Sequence, residues 1–352
     1  MTTLLGLSLA ELQAFCLEQG FPKFTAKQLC DWIYQKRVAD FDAMTNLSLK
    51  TRARLSEIAT VGRTQPIDCQ TSADGTKKYL FDIRTGIPQP TPETSTNTFV
   101  ESVYIPDGDR ATLCVSCQRG CKMGCRFCVT GQQGFHGNLS AAQILDQIFS
   151  IPESQQLTNI VFMGMGEPMD NYDAIRRTLD VLTADWGLAW SPHRITVSTV
   201  GITPMLRRML DETQVDVAVS LHNPFPAERA AMMPMEKAYP IAQTIDLLRR
   251  YNWHGQRRIS FEYTMFGGLN DSTRYAAELA RLLRGLRCRV NLIRFHASPG
   301  TPYRTSDPQT MNAFRDYLSS HGVTCTIRAS RGEDIMAACG LLAGKKKQEA
   351  NQ

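Results

Sequence analysis

Five of the eleven cysteines in this chain fall between positions 114 and 128: Cys114, Cys117, Cys121, Cys125 and Cys128. The last three are spaced C-x3-C-x2-C within CQRGCKMGCRFCVTG. Most iron–sulfur clusters are held by four thiolates. Three close thiolates satisfy three irons of a [4Fe–4S] cube and leave one iron open. An open iron can chelate the amino and carboxylate groups of S-adenosylmethionine and pass an electron to its sulfonium. Two other readings stand beside this one. The offsets also fit one helix face, which would make the three core residues, although Gly120, Gly124 and the Lys and Arg of the run oppose a buried helix. A zinc site is the other, although the run lacks paired knuckles and has no near histidine except His136.

Such a motif needs a scaffold that presents it at the rim of a pocket. From Ala111 onward, β-like and helical stretches alternate. The pattern predicts strands over 112–116, 159–163, 194–199, 216–221, 258–265, 289–295 and 323–328. Helices are predicted over 141–149, 172–182, 203–210, 241–250, 274–283 and 309–319. Several strands are apolar without strict alternation, as when both sheet faces are covered. Six or so βα units imply a parallel sheet, open or barrel-like, with function at the C-terminal strand ends. The residues there are Gly164–Pro168, Val200–Gly201, His222–Pro224 and His296.

The first hundred residues read differently. Helical periodicity covers 8–19, 25–37 and 47–58, with Ser8 and Thr25 as N-caps. Short β-like stretches follow at 79–83 and 98–105, separated by the turn-rich IPQPTPETSTNT. A small α+β accessory domain is the expectation.

With 352 residues, 43% hydrophobic and 21% charged, the chain suits a soluble globular protein of about two domains. It needs no disulfide staples, and no apolar run approaches a membrane span. The start lacks a basic signal-peptide region, so a cytoplasmic location is expected. A net charge of +5 is too small to prove a polyanion partner. The arginine pairs at 207–208, 249–250 and 257–258, and the set Arg281, Arg284, Arg287 and Arg289, favour nucleic acid mildly. The scattered Cys16, Cys30, Cys69, Cys288 and Cys325 read as small buried hydrophobes.

CKMGCRFC resembles the radical S-adenosylmethionine (SAM) superfamily. RATLCVSCQRGC, FMGMGEPMDN, SPHRITVSTVGI, VSLHNP, FEYTMFGGLND, NLIRFH and RGEDIMAACG are similar to one branch of it, the RlmN/Cfr family of RNA adenosine methyltransferases. The likeness is closest on the RlmN side. It implies an α/β fold, a partial (β/α)6 radical SAM barrel with a small N-terminal α+β accessory domain. The implied boundaries are 1–98 for an RNA-docking accessory domain, 99–344 for the core and 345–352 for a polar tail.

The resemblance also assigns roles. Cys121, Cys125 and Cys128 match the [4Fe–4S] ligands. Gly166 and Glu167 match the motif that cradles the methionine ammonium. Ser198, Ser220, Leu221 and His222 match positions lining the cofactor's ribose and carboxylate. His296 stands where the family usually has Asn, and Cys117 where Ser is usual. Cys339 matches a methyl carrier, Cys114 a resolving thiol and Glu101 a base.

In the implied mechanism Cys339 takes a methyl from one SAM, and a second is cleaved to a 5′-deoxyadenosyl radical. Hydrogen abstraction from the methyl lets its carbon add to the adenine ring. Cys114 then attacks the Cys339 sulfur, closing a transient disulfide and freeing the base. The implied substrates are an adenosine of 23S rRNA and the adenosine 3′ of the tRNA anticodon. The implied electron donor is a flavodoxin or ferredoxin with its reductase. Methylation at adenine C8 in place of C2 stays open, as does a non-catalytic iron–sulfur or zinc protein.

Overall fold

The computed structural model describes residues 1–84, 98–297, 301–338 and 340–342. Its centre is one ten-stranded sheet. In chain order the strands are β1 (Asp68–Thr71), β2 (Lys77–Asp82), β3 (Phe99–Asp107), β4 (Arg110–Cys114) and β5 (Asn159–Phe162). They continue as β6 (Ile195–Thr199), β7 (Asp216–Ser220), β8 (Ile259–Met265), β9 (Arg289–Arg294) and β10 (Thr324–Ile327). Sheet order equals chain order. β4 to β10 are parallel and carry the crossover helices, while β1 to β4 run antiparallel. β10 sits at one edge and β4 pairs outward with β3, so the parallel part forms a barrel that does not close.

All seven predicted parallel strands and all six predicted crossover helices are present. The helices are Ala141–Phe149, Tyr172–Thr183, Thr203–Glu212, Ile241–Leu248, Thr273–Leu283 and Pro308–Ser320. A further helix, Pro226–Met232, was not anticipated. The expectation of strands apolar on both faces is corrected in β8. Its Ile259, Phe261, Tyr263 and Met265 are buried, while Ser260, Glu262 and Thr264 line cavities inside the barrel. A closed barrel fills its axis with branched apolar side chains. An open one leaves room there for a ligand.

The N-terminal helices form, but only one of the two expected caps does: Thr25 is the first residue of its helix, whose N-cap is Phe24 with no side-chain bond. Ser8 and Glu11 make a reciprocal capping box at Leu9–Glu18. Thr25–Cys30 runs into a π-helical turn, Asp31–Gln35, and Leu49–Ile58 follows. This layer is fastened to the barrel: Arg63 Nε donates to Ser150 Oγ at 2.8 Å, and Asp146 accepts from the Thr64 amide at 2.9 Å. The expected accessory strands are likewise not a separate sheet, because β1 to β3 extend the barrel's own. Most of the turn-rich segment between β2 and β3, and the polar tail, lie outside the described residues.

Candidate functional site

The cysteine run follows β4 as a loop. Gln118–Gly120 pairs with Phe135–Asn138, and the loop between them holds all three cysteines. Gly120 has φ +69°, and a Cβ there would lie 1.9 Å from the Gly134 carbonyl oxygen, so no other residue fits without a shift. That carbonyl accepts from the Cys121 amide at 2.8 Å. Helix begins only after Cys128, at Val129–Gln132. The one-face helical reading is thereby excluded.

Cys121, Cys125 and Cys128 line one cavity at the C-terminal ends of the parallel strands. Burial pushes the Cys121 thiol up to about 12 and the Cys125 thiol further. Thiols so placed ionise when a cationic centre binds them. Among the described residues, no three His, Cys, Asp or Glu side chains are grouped to hold a single metal ion. A cube-shaped cluster takes one thiolate per iron, so its ligands need not converge on one point.

Gly166 and Glu167 lie opposite, after β5. Gly166 has φ +102°, and a Cβ would press on Gln118 at 2.6 Å. Glu167 is buried; its two oxygens accept from the Met169 amide (3.1 Å) and the Val200 amide (2.9 Å). Burial outweighs these bonds and raises its carboxyl to about 7. A carboxyl so placed favours a cationic ligand.

Ser198 and Ser220 line the same cavity from the ends of β6 and β7. His222 does so with left-handed φ of 54°. Its Nδ1 accepts from the Thr264 amide at 2.9 Å, which puts the ring proton on Nε2. Burial, with Arg229 nearby, lowers its pKa to about 3, so the imidazole stays neutral. Phe127 meets this ring edge-on at 5.0 Å. Leu221 differs from the expectation: its side chain is fully buried and does not line the cavity. An extended strand end sends alternate side chains to opposite faces.

Its carbonyl instead helps hold Arg229, which is 0% exposed. Arg229 donates to the carbonyls of Leu221 (2.9 Å), Ser220 (2.8 Å) and Val200 (3.1 Å), and pairs with Glu236. One guanidinium thus ties together the ends of two strands that face the cavity. Arg229→Met should cost about 3–5 kcal/mol, because Glu236 is left as a buried unpaired charge. Chemical denaturation of the cluster-free protein measures this; a loss under about 1 kcal/mol would show that the pair is dispensable.

Cys114 ends β4, 8% exposed. It is registered opposite Val103 of β3, so Glu101, two residues away, shares its sheet face. Glu101 is buried and pairs with Lys78 Nζ at 3.2 Å. Neither Cys114 nor Glu101 lines the cavity. Cys339 lies outside the described residues. Its neighbour Gly340 does line the cavity, and the Gly340 carbonyl accepts from the Val129 amide at 2.9 Å, one residue past Cys128. His296 lines the cavity too, with both ring nitrogens already engaged: Nε2 with Ser330 Oγ (2.9 Å) and Nδ1 with Glu333 (3.0 Å). The described cysteines are all free thiols, so no disulfide is present among them.

Sequence reasoning missed Arg229, Lys78 and Glu262. Glu262 is buried on the cavity wall, accepting from Ser260 Oγ (2.9 Å) and Asn291 Nδ2 (2.8 Å). The signal was an acidic residue inside an apolar strand, FEYTM. The expectation that the scattered cysteines are buried fails at Cys69, and Cys288 is only half-buried. Cys69 is exposed, because the edge strand β1 turns it outward. Several arginines are not free for a polyanion: Arg208 pairs with Asp173 and Glu212, Arg249 with Asp246 and Arg281 with Glu278, while Arg257 is buried on backbone carbonyls.

Residues 2–61 match the ribosomal RNA large subunit methyltransferase N-terminal domain, and residues 115–280 match the radical SAM superfamily. The chain is 56% identical over 349 residues to a probable dual-specificity RNA methyltransferase RlmN of Porphyromonas gingivalis, covering 99% of each. It is 40% identical to the dual-specificity RNA methyltransferase RlmN of Syntrophus aciditrophicus, covering 97% of each. The crystal structure of a radical SAM methyltransferase from Sphaerobacter thermophilus superposes with a TM-score of 0.90 at 39% identity, over 98% of this chain and 100% of that one. Likeness of this extent, over both the helical N-terminal layer and the cysteine-bearing barrel, places the chain in the RlmN family of radical SAM RNA methyltransferases.

Proposed function

We propose that this protein methylates C2 of adenosine in RNA, in 23S rRNA and in tRNA, through a methyl group carried on Cys339. The observation that carries the reading is one cavity that unites Cys121, Cys125 and Cys128 with Glu167, His222 and the residue next to Cys339. The family implies a [4Fe–4S] cluster and SAM, two per turnover, and the three half-buried thiols and the buried carboxyl fit them. When bound, they supply an electron, a methyl group and a hydrogen-abstracting radical.

The chain's own residues do the rest. Glu167 offers its charge to the methionine ammonium. Neutral His222 donates from Nε2, and Ser198 and Ser220 offer hydroxyls to the ribose and carboxylate. His296 borders the adenosine end of the pocket while holding the C-terminal segment. Cys339 carries the methyl whose carbon bonds the base, Cys114 attacks the Cys339 sulfur to break its carbon–sulfur bond and release the adduct, and Glu101 with Lys78 beside it takes the ring proton. The accessory domain 1–98 docks the RNA; its exposed Lys23, Lys27 and Lys50 suit phosphate contact. A flavodoxin or ferredoxin fits the exposed flank of the cluster loop at Arg126, beside Lys122, which pairs with Asp170. Among the described residues no helix is long and apolar enough to cross a membrane.

The test is mass spectrometry of rRNA and tRNA nucleosides from a strain lacking the gene and from one complemented with it. 2-Methyladenosine should vanish and return. Restoration of 8-methyladenosine in its place would overturn the C2 assignment.

The Glu167 carboxyl gives the cofactor site a pH signature. Its folded pKa, about 7, lies above the ordinary 4.5, so the ligand-free fold binds the extra proton between these values. That burial weakens stability as pH rises from 4.5 towards 7. An ammonium ligand needs the carboxylate, so SAM affinity should rise with pH, roughly tenfold per unit, and level off above about 7. Glu167→Gln should abolish the slope and weaken binding about 10- to 150-fold. Calorimetry across this range decides it; a flat profile in the unsubstituted protein would remove Glu167 from the ammonium.

A further inference from the structure

We infer that the tip of the β1–β2 hairpin, Ser72 to Thr76, is a docking cradle for the segment that carries Cys339, and that Ser72, Asp74 and Asp334 are positioning residues for that thiol. The inference rests on the carrier role proposed for Cys339. The segment RGEDIMAA immediately precedes that cysteine and crosses the hairpin tip.

Two carboxylates clasp the crossing in opposite directions. Asp334, on the segment, accepts from Ser72 Oγ at 2.5 Å and from the Ala73 amide at 3.2 Å. Asp74, on the hairpin, accepts from the Gly332 amide at 3.1 Å and from the Thr76 amide at 2.9 Å. Gly332 has φ +61°, and a Cβ there would press on Ala337 at 2.8 Å and Thr76 at 2.9 Å. A larger residue would push the segment off the hairpin. Against the desolvation of burial, hydrogen bonds from Thr76 and Gly332 hold the Asp74 carboxyl at about 2, so this clasp stays charged at any working pH.

Further contacts fix the same stretch from other elements. Arg331 pairs with Asp107 at the end of β3 (2.8 Å), and His296 after β9 holds Ser330 and Glu333. Beyond Cys339 the chain is fixed again: the Gly340 carbonyl accepts from Val129, and the Leu342 carbonyl from Thr130 Oγ1 at 2.7 Å. The anchors therefore bracket Cys339, with the hairpin on one side and the cluster loop on the other. A thiol that must meet a methyl donor, an adenine and then Cys114 gains from such bracketing, since misplacement by about 1 Å costs rate heavily. The hairpin would then serve the chemistry without touching substrate.

The test uses the full-length, cluster-loaded protein. Asp74→Asn, Asp334→Asn and the pair are compared with Ser72→Thr, which keeps the hydroxyl. Gly332→Ala is the independent steric variant. Amide exchange over residues 331–342 should speed up about tenfold or more in the Asp variants and in Gly332→Ala, and stay slow in Ser72→Thr. Methylation of Cys339, read by intact-protein mass, and kcat for RNA methylation should fall about tenfold, with KM for RNA and iron content unchanged. Unchanged exchange and kcat in the double variant would overturn the cradle. So would a raised KM with kcat intact, which would make the hairpin an RNA contact. If the unsubstituted protein carries no methyl on Cys339, the carrier role fails, and exchange alone still judges the cradle.

Discussion

Cys114→Ala, purified from cells, should run on a denaturing gel as a protein–RNA conjugate that ribonuclease collapses to the size of the protein. The expectation follows from bond connectivity. Once the carrier methyl on Cys339 has bonded the adenine, the base is released only if another thiol attacks the Cys339 sulfur. Cys114 ends β4, on the sheet face it shares with Glu101. The nearby Cys117 is no substitute. Burial, with Glu167, Cys121 and Asp170 around it, raises its thiol far above the ordinary range. The attacking species is the thiolate, so methylation by the variant should stop at about one RNA per protein. Cys339→Ala should form neither conjugate nor methylated base. Normal turnover by Cys114→Ala without a conjugate would end the two-cysteine scheme for this chain.

Cys125→Ala should lose all cluster iron and the visible absorbance that accompanies it. Cys125 is the more deeply buried of the two cluster thiols whose shifts are largest, and it faces Arg229 as well as its sister cysteines. Three thiolates are the fewest that hold a cube with one open iron, and a remaining pair cannot retain it. The loop is shaped by Gly120 and by the Cys121 amide on the Gly134 carbonyl. The variant should therefore stay folded, with a melting temperature close to that of the cluster-free parent. Cys121→Ala and Cys128→Ala should behave alike, whereas Cys69→Ala, an exposed thiol on the far edge strand, should keep its iron. Full iron content in any of the three cluster variants sinks the ligand assignment.

These effects differ in how they could be foreseen. The cluster loop, the glycine turn before Glu167 and the alternation of strands and helices are local in the chain. Residue type and spacing over a dozen positions suffice to state them, because a tight turn needs Gly and a βα unit needs a switch of period. The parallel strands were accordingly legible to within a few residues. Of the accessory strands, β2 and β3 were legible as strands and β1 was not, and none was legible as part of the barrel sheet, since the pairing of β3 with β4 depends on backbone bonds that no side-chain pattern announces.

By itself, then, the sequence determined the chemistry available: three thiols that suit a cluster, a carboxyl at a strand end, and two further cysteines far apart in the chain. The tertiary structure decided what surrounds them. Arg229 is of a residue type almost never fully buried unless paired, yet the fold buries it completely on three carbonyls. Lys78 is of a residue type mostly found exposed, yet it is buried and pairs with buried Glu101. Ser72 and Asp334 lie 262 positions apart and meet only because β1 and β2 extend the sheet past the barrel's edge. Ordinary charged and polar side chains acquire such roles through burial and through partners distant in sequence, and both are properties of packing.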